Sequence, residues 1–495
     1  MSKVRPVRSP AGHADWRPLL LRRWWTRRDD VTPVILRPHR ITATGLAIAF
    51  LVLQFMIPAR LVIGGMGAVG RPSVAMGLLF AFLWFLSMLQ PGGLPAGRQP
   101  VRWLIGGFVG VQMVGYAVGM ARLPVEVEAS AGDRYMILIV SMAGVVLLLA
   151  DGVRTREHLN TILRVLVGLT AVMAFTGILQ YFRIVDVTRY IRIPGLTANR
   201  DLFGAGVRGA TDLTRVAGTA NHYIEFGVVL AVVLPLALHF ALFAPTGRKL
   251  IAWCQVGLIG AAIPMSISRS AILTTVVAIA LLFMVWKWRL RYNAAVIGLV
   301  ALTALHFLTR GLFGTIISLF RHADDDPSIQ NRISDQAFVY EMWSQRPILG
   351  RGAGMILPDR YLLLDNQIFV TLIGGGILGV VALISLFIVP YMMARSVRLR
   401  AVTEEGRHLG QALAAALPAA LMASFTFDAL SFATFTGLVF VLVGVVGALW
   451  RLQGDRGERT LEWSPDDRCV APPAFAPGHP RWSTRFLAKR SSPAS

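Results

Sequence analysis

Charge is scarce in this chain, and acidic charge scarcer still. Only 15% of its 495 residues are charged, and 27 acidic side chains stand against 49 basic ones, for a net charge of +22. A soluble domain carries about 25% charged residues. With 55% hydrophobic residues and a mean hydropathy of +0.59, the composition excludes one. Cysteine is nearly missing: Cys254 lies in an apolar run and Cys469 near the C-terminal end, so no disulfide framework is implied. The basic excess has no aromatic-interleaved platform beside it, which argues against nucleic acid. In a polytopic protein such an excess reports orientation and contact with anionic lipid. No cleavable signal pattern precedes the first apolar run, only some 40 Arg-rich residues, so that run is expected to remain as a signal anchor.

What is present in quantity is apolar sequence. Twelve runs approach or exceed the ~20 residues a spanning helix needs. They lie near 41–58, 72–90, 102–121, 133–150, 160–182, 221–243, 249–267, 270–286, 292–309, 366–393, 409–427 and 431–450. The expected fold class is therefore all-α, a polytopic transmembrane helical bundle of about 12 spans. The seventh and eighth runs adjoin and read equally as one broken feature. The stretch "GLFGTIISLF" (311–320) either extends the ninth span or lies along the interface.

Orientation follows from the connections. The turns "GLPAGRQPVR", "DGVRTRE", "TGRK", "KWRLR" and "ARSVRLRAVTEEGR" are short and basic, as are both tails. By the positive-inside rule these face the cytoplasm, and the chain is expected to be a multi-pass protein of the cytoplasmic membrane with both termini inside. The layout is then a basic tail (1–40), a transmembrane domain (41–451) and a disordered Pro/Arg/Ser-rich tail (452–495). Two outward loops are long, 183–220 and 310–365. The second is expected to be partly helical over "SDQAFVYEMWSQ" (334–345), with Ser334 as N-cap and a break at Pro347.

Three stretches carry chemistry. In "SISRSA" (266–271), Arg269 interrupts an apolar run, although an arginine at mid-helix costs roughly 2.5–3.5 kcal/mol. With this topology it falls at the outer end of two helices, where it either snorkels or binds an anion through its planar fork. The serines around it either cap freed backbone groups or join that site. In "TRVAGTANHYIEFG" (214–227), Arg215 precedes a helix whose expected N-cap is Thr219 or Asn221. A helix N-terminus beside an arginine suits a pyrophosphate, whereas His222 and Glu225 at i, i+3 are accounted for as a local pair. In the third stretch, "RPILGRGAG" (346–354) lacks the Lys-Ser/Thr of a nucleotide loop and follows no strand. Asp365-Asn366 then opens a long apolar helix. Asp365 is either its N-cap or a general base at the membrane surface, and the glycines at 374–376 and 379 allow close packing or a kink. Asp324-Asp325-Asp326 is better read as a solvated turn than as a metal site.

The order of these pieces over about residues 200–390 resembles the O-antigen ligase and polymerase-like superfamily, polytopic enzymes that transfer glycans from a polyprenyl-diphosphate carrier on the outer face of the cytoplasmic membrane. The resemblance rests on "RVAGTANHYIEFG", "SISRSA" and "R…W…RPILGRGAG" closing on "DNQIFVTLIGGGILG". It implies that Arg215 and Arg269 engage the donor's diphosphate. Arg332 in the large loop, His222 and Asn366 are accessory candidates, and Asp365 is the base. The chain departs from the family here, since Asp365-Asn366 stands where a His-Asn pair is usual. The implied partners are a polyprenyl-diphosphate-linked glycan donor, a glycan or glycolipid acceptor and membrane lipids, with no metal or cofactor. A transporter or flippase of the same lipid-linked saccharide is the competing reading. It predicts charges lining a route across the membrane, whereas here they gather at the outer ends.

Overall fold

The computed structural model describes residues 42–95, 99–198, 214–309, 311–321 and 327–454. Fourteen α-helices follow one another in this part of the chain: α1 (Ala43–Met56), α2 (Pro72–Leu89), α3 (Pro100–Met120), α4 (Glu126–Gly152), α5 (Arg156–Tyr181), α6 (Tyr223–Leu242), α7 (Lys249–Met265), α8 (Arg269–Phe283), α9 (Trp288–Leu308), α10 (Leu312–Arg321), α11 (Pro327–Ser344), α12 (Gln367–Arg400), α13 (Glu404–Ser424) and α14 (Ala433–Gly454). Helix accounts for 76% of the described residues, since a helix satisfies its own backbone polar groups away from water.

Each of the twelve apolar runs coincides with a helix, but eight of the helices are both long and apolar enough to cross a bilayer by themselves. Of the remainder, α1 and α8 are apolar but short, at 14 and 15 residues. The seventh and eighth runs are two separate helices, α7 and α8. The stretch 311–320 does not extend α9: Thr309 ends that helix and α10 begins anew after a turn at Gly311. Helix α11 starts earlier than expected. Pro327, with φ already set for a first turn, opens it, so Ser334 lies inside the helix rather than capping it. The all-α expectation is also amended by a small antiparallel pair, β1 (Leu61–Ile63) with β2 (Leu196–Ala198), in which Val62 faces Thr197. It ties the α1–α2 connection to the one before α6.

The bundle is built around α6 and α14, 89% and 83% of whose apolar windows are buried, while α9 is 6% buried and peripheral. Small residues let helices touch. A Cβ on Gly144 of α4 would fall 2.2 Å from the carbonyl oxygen of Gly77 in α2. The tails (1–41 and 455–495), the acidic run 324–326 and residues 199–213 of the first long loop lie outside the described residues.

Candidate functional site

The turn before α6 is held from three sides. The Gln180 side chain accepts from Gly218 N–H (2.8 Å) and donates to Gly218 O (3.3 Å) and to Asp186 (2.9 Å). The Thr219 hydroxyl donates to Phe55 O (2.7 Å), and Thr219 O accepts from Ala59 N–H (2.9 Å). With its hydroxyl used there, Thr219 does not cap α6, and neither does Asn221. His222 is the N-cap, its Nδ1 accepting from Ile224 N–H (3.3 Å). That leaves the ring proton on Nε2, a donor facing its surroundings. The expected His222–Glu225 pair is absent as well. Glu225, fully buried, accepts from Asn221 N–H (2.9 Å) and, across the bundle, from Thr434 N–H (2.6 Å) and Phe435 N–H (3.2 Å). One carboxylate thus satisfies the first amides of α14 as well as the turn before α6, the favoured sign at a helix N-terminus. Arg215 is 7% exposed, its guanidinium 4.2 Å over the Tyr223 ring and its Nε without a hydrogen-bond partner.

The α7–α8 turn is tight because Ile267 adopts φ +49°, a left-handed conformation that costs a β-branched residue about 1–3 kcal/mol. Around it the serines serve the backbone: Ser268 caps α8 by accepting from Ala271 N–H (3.4 Å), and Ser266 donates to Ile263 O (2.7 Å). Arg269 is therefore the first residue of α8, half-buried. This turn abuts α6, where a Cβ on Gly227 would lie 2.5 Å from both Ser266 Oγ and Ala271 Cβ.

The glycine-rich loop has a structural task. Gly376 (φ +61°, ψ −161°) breaks α12, and the loop fills the break: Arg351 and Gly352 N–H donate to Ile373 O (2.8 Å) and Gly374 O (2.9 Å), while Ile377 and Leu378 N–H donate to Pro347 O (2.9 Å) and Ile348 O (3.2 Å). The backbone groups freed by the break are thereby satisfied. A Cβ on Gly376 would meet Ile348 O at 2.3 Å. Asn366, not Asp365, caps α12 by accepting from Ile368 N–H (2.9 Å). Asp365 is left exposed and free of capping duty. Arg332 lies on α11, but its side chain is outside the described residues.

Residues 254–384 match the family model described as O-antigen ligase. The matched segment runs from α7 into α12, so it contains Arg269, the large loop, Asp365 and the Gly376 break. No curated protein matches the chain. The O-antigen ligase match supports a membrane glycosyltransferase-like function in polysaccharide assembly.

Outside the O-antigen ligase segment lies a residue the sequence reasoning missed. Asp428 sits in the short α13–α14 connection "FDALSF" (427–432), and its only sequence signal is an acid between two apolar helices. Desolvation pushes its carboxyl up to about 6, the Ser431 hydroxyl bond opposes this, and the charge of Asp365 adds to it. Its Oδ1 is buried without a hydrogen-bond partner. The same connection is stitched to the start of α12: Leu430 N–H donates to Gln367 Oε1 (2.7 Å) and Gln367 N–H to Phe427 O (3.2 Å). Its Phe432 ring stands 5.7 Å from that of His222. Tertiary contacts therefore bring the N-termini of α6, α8, α12 and α14 to one end of the bundle, together with Arg215, His222, Arg269, Asp365 and Asp428.

Proposed function

We propose that the chain is a twelve-span glycosyltransferase of the O-antigen ligase or polymerase type, acting on the outer face of the cytoplasmic membrane with both termini inside. The observation that carries this reading is the grouping of four helix N-termini, two arginines and two carboxylates at one end, in a chain whose ligase-like segment supplies the α8 and α12 parts of that group. Helix N-termini and guanidinium groups both favour an anion.

In this reading the donor's polyprenyl tail stays in lipid and its diphosphate enters the mouth of the bundle. Arg215 and Arg269 hold the diphosphate, with Arg332 assisting from the large loop, and stabilise the charge that grows as the glycosyl–phosphate bond breaks. The acceptor hydroxyl attacks the anomeric carbon and gives its proton to Asp365. The diphosphate leaves with the bonding electron pair, so neither a nucleotide nor a metal has to supply activation. Asp428, whose carboxyl is pushed up to about 6 by burial and in part by the charge of Asp365, is the second carboxylate of the site, in the range where a general base is effective. In this reading His222 Nε2 and Asn366 orient the sugar. The acceptor is a second glycan or a glycolipid.

Reconstitution with a polyprenyl-diphosphate oligosaccharide tests the proposal, with new glycosidic bonds and released carrier diphosphate measured together. Both should rise in step and fall together in Arg269→Ala. Movement of labelled lipid across the bilayer without a new bond would establish a transporter instead.

A further inference from the structure

Arg71 is a charge in an unlikely place. It is the residue preceding α2, 6% exposed, where a positive charge opposes the helix dipole. Its Nε and Nη1 are buried without a hydrogen-bond partner. It lines a small cavity with Gln54, Pro58, Leu61, Ser73 and Thr434. That cavity has room for about one water molecule, far too little for a diphosphate, so Arg71 is not a third donor ligand. Thr434, on the same cavity, donates its N–H to Glu225 (2.6 Å), which brings the Glu225 carboxylate to the edge of that cavity, where it attracts the Arg71 charge.

Glu225 is the residue that joins two helix starts, through Asn221 N–H on one side and Thr434 and Phe435 N–H on the other. A carboxylate accepts at both oxygens with no proton to place, and a buried anion is costly unless an opposite charge stands near it. From the α1–α2 connection Arg71 supplies that charge. Gln54 of α1 strengthens the same junction by donating to Ala433 O.

We propose that Arg71 is a positioning residue: it is the counter-charge of Glu225, and through Glu225 it locks the turn bearing Arg215 and His222 against the first turn of α14. Its effect on turnover rests on the reading of Arg215 as a diphosphate ligand, whereas its effect on the junction does not.

The full chain in lipid nanodiscs tests this with Arg71→Lys, Arg71→Gln, Glu225→Gln and the double variant Arg71→Gln/Glu225→Gln. Two quantities are read: hydrogen exchange in peptides covering 219–226 and 431–437, and KM and kcat for a polyprenyl-diphosphate glycan. Arg71→Gln should speed exchange in both peptides and raise KM by about tenfold with kcat little changed, the scale of one lost hydrogen bond to a charged group. Arg71→Lys should restore both readouts. The double variant, which isolates no charge, should exchange more slowly than Arg71→Gln. Unchanged exchange in Arg71→Gln, or a double variant worse than either single one, overturns the proposal. If Arg71→Gln fails to accumulate, accumulation of the double variant supports it and failure of both overturns it. If the wild type transfers no glycan, the proposed function falls while the exchange measurements still decide the role of Arg71.

Discussion

The two ends of the bundle differ in how their charges are met, although unpartnered nitrogen is not confined to one of them: Arg398 Nε, near the end of α12, is buried without a hydrogen-bond partner too. At the end where α4 and α14 finish, Arg102 grips Asp151 with two nitrogens (2.8 and 2.9 Å), and Trp84 Nε1 donates to the same carboxylate (2.8 Å). Arg451 donates to Ala150 O and Val153 O, closing the last carbonyls of α4. At the mouth, Arg71 and Arg215 bury guanidinium nitrogens with no hydrogen-bond partner, and Asp428 does the same with a carboxylate oxygen. A satisfied ion pair is a strut. Unmet donors and acceptors cost stability, and at the mouth two of them lie on Arg215 and Asp428, which the proposed function uses.

The sharpest way to break this comparison is to remove one charge from each end. Arg269→Ala should lower turnover by about 10²–10³-fold, as loss of one preorganised donor does, with little change in thermal stability. Arg215→Ala should do likewise, losing in addition about 1 kcal/mol from its stack on Tyr223. At the loop that braces the mouth, Gly376→Ala should destabilise the protein by at least about 1–3 kcal/mol, since only glycine tolerates that conformation. A comparable loss is expected from Asp151→Ala, about 2 kcal/mol because Arg102 retains some solvent, and activity per folded molecule should be unchanged. Thermal denaturation beside turnover separates these cases. If Asp151→Ala impaired chemistry and Arg269→Ala impaired folding, the two ends would not differ as described.

Titration sharpens it further. The Asp428 carboxyl, ordinarily near 3.8, is raised to about 6. If its ionised form serves the acceptor, the rate should climb as pH rises through about 6, and Asp428→Asn should lack that rise. Stability should run the other way. The native state holds this proton more tightly than the unfolded state, so the contribution is complete below pH 4 and lost as pH passes 6. Melting curves of wild type and Asp428→Asn should therefore diverge over that window. The smallest shift expected is in the Asp428 midpoint itself: Asp365→Asn removes a neighbouring negative charge and should lower that midpoint, while turnover falls with the loss of the proposed base.

Much of this molecule was legible beforehand. Each expected apolar run became a helix, because a stretch that cannot be hydrated must bond its own backbone. The kink at the "IGGG" run and the break before Pro347 were legible for the same local reason, the special backbone freedom of glycine and the restriction imposed by proline. Capping was read less well. Thr219 and Ser334 have the right side chains for caps, but Phe55 O claims the first and Pro327 starts the helix ahead of the second.

What amino-acid order determined by itself was a membrane-embedded helical chain, the places where its helices stop, and the arginines that interrupt them. Those properties depend on neighbours a few residues apart. Only the folded bundle decided that Glu225 caps a helix 209 residues away, that the charge of Asp365 reaches Asp428, and that a glycine-rich loop completes the break in α12. These are contacts between distant segments, set by which helices pack together, and no local pattern of residues encodes them.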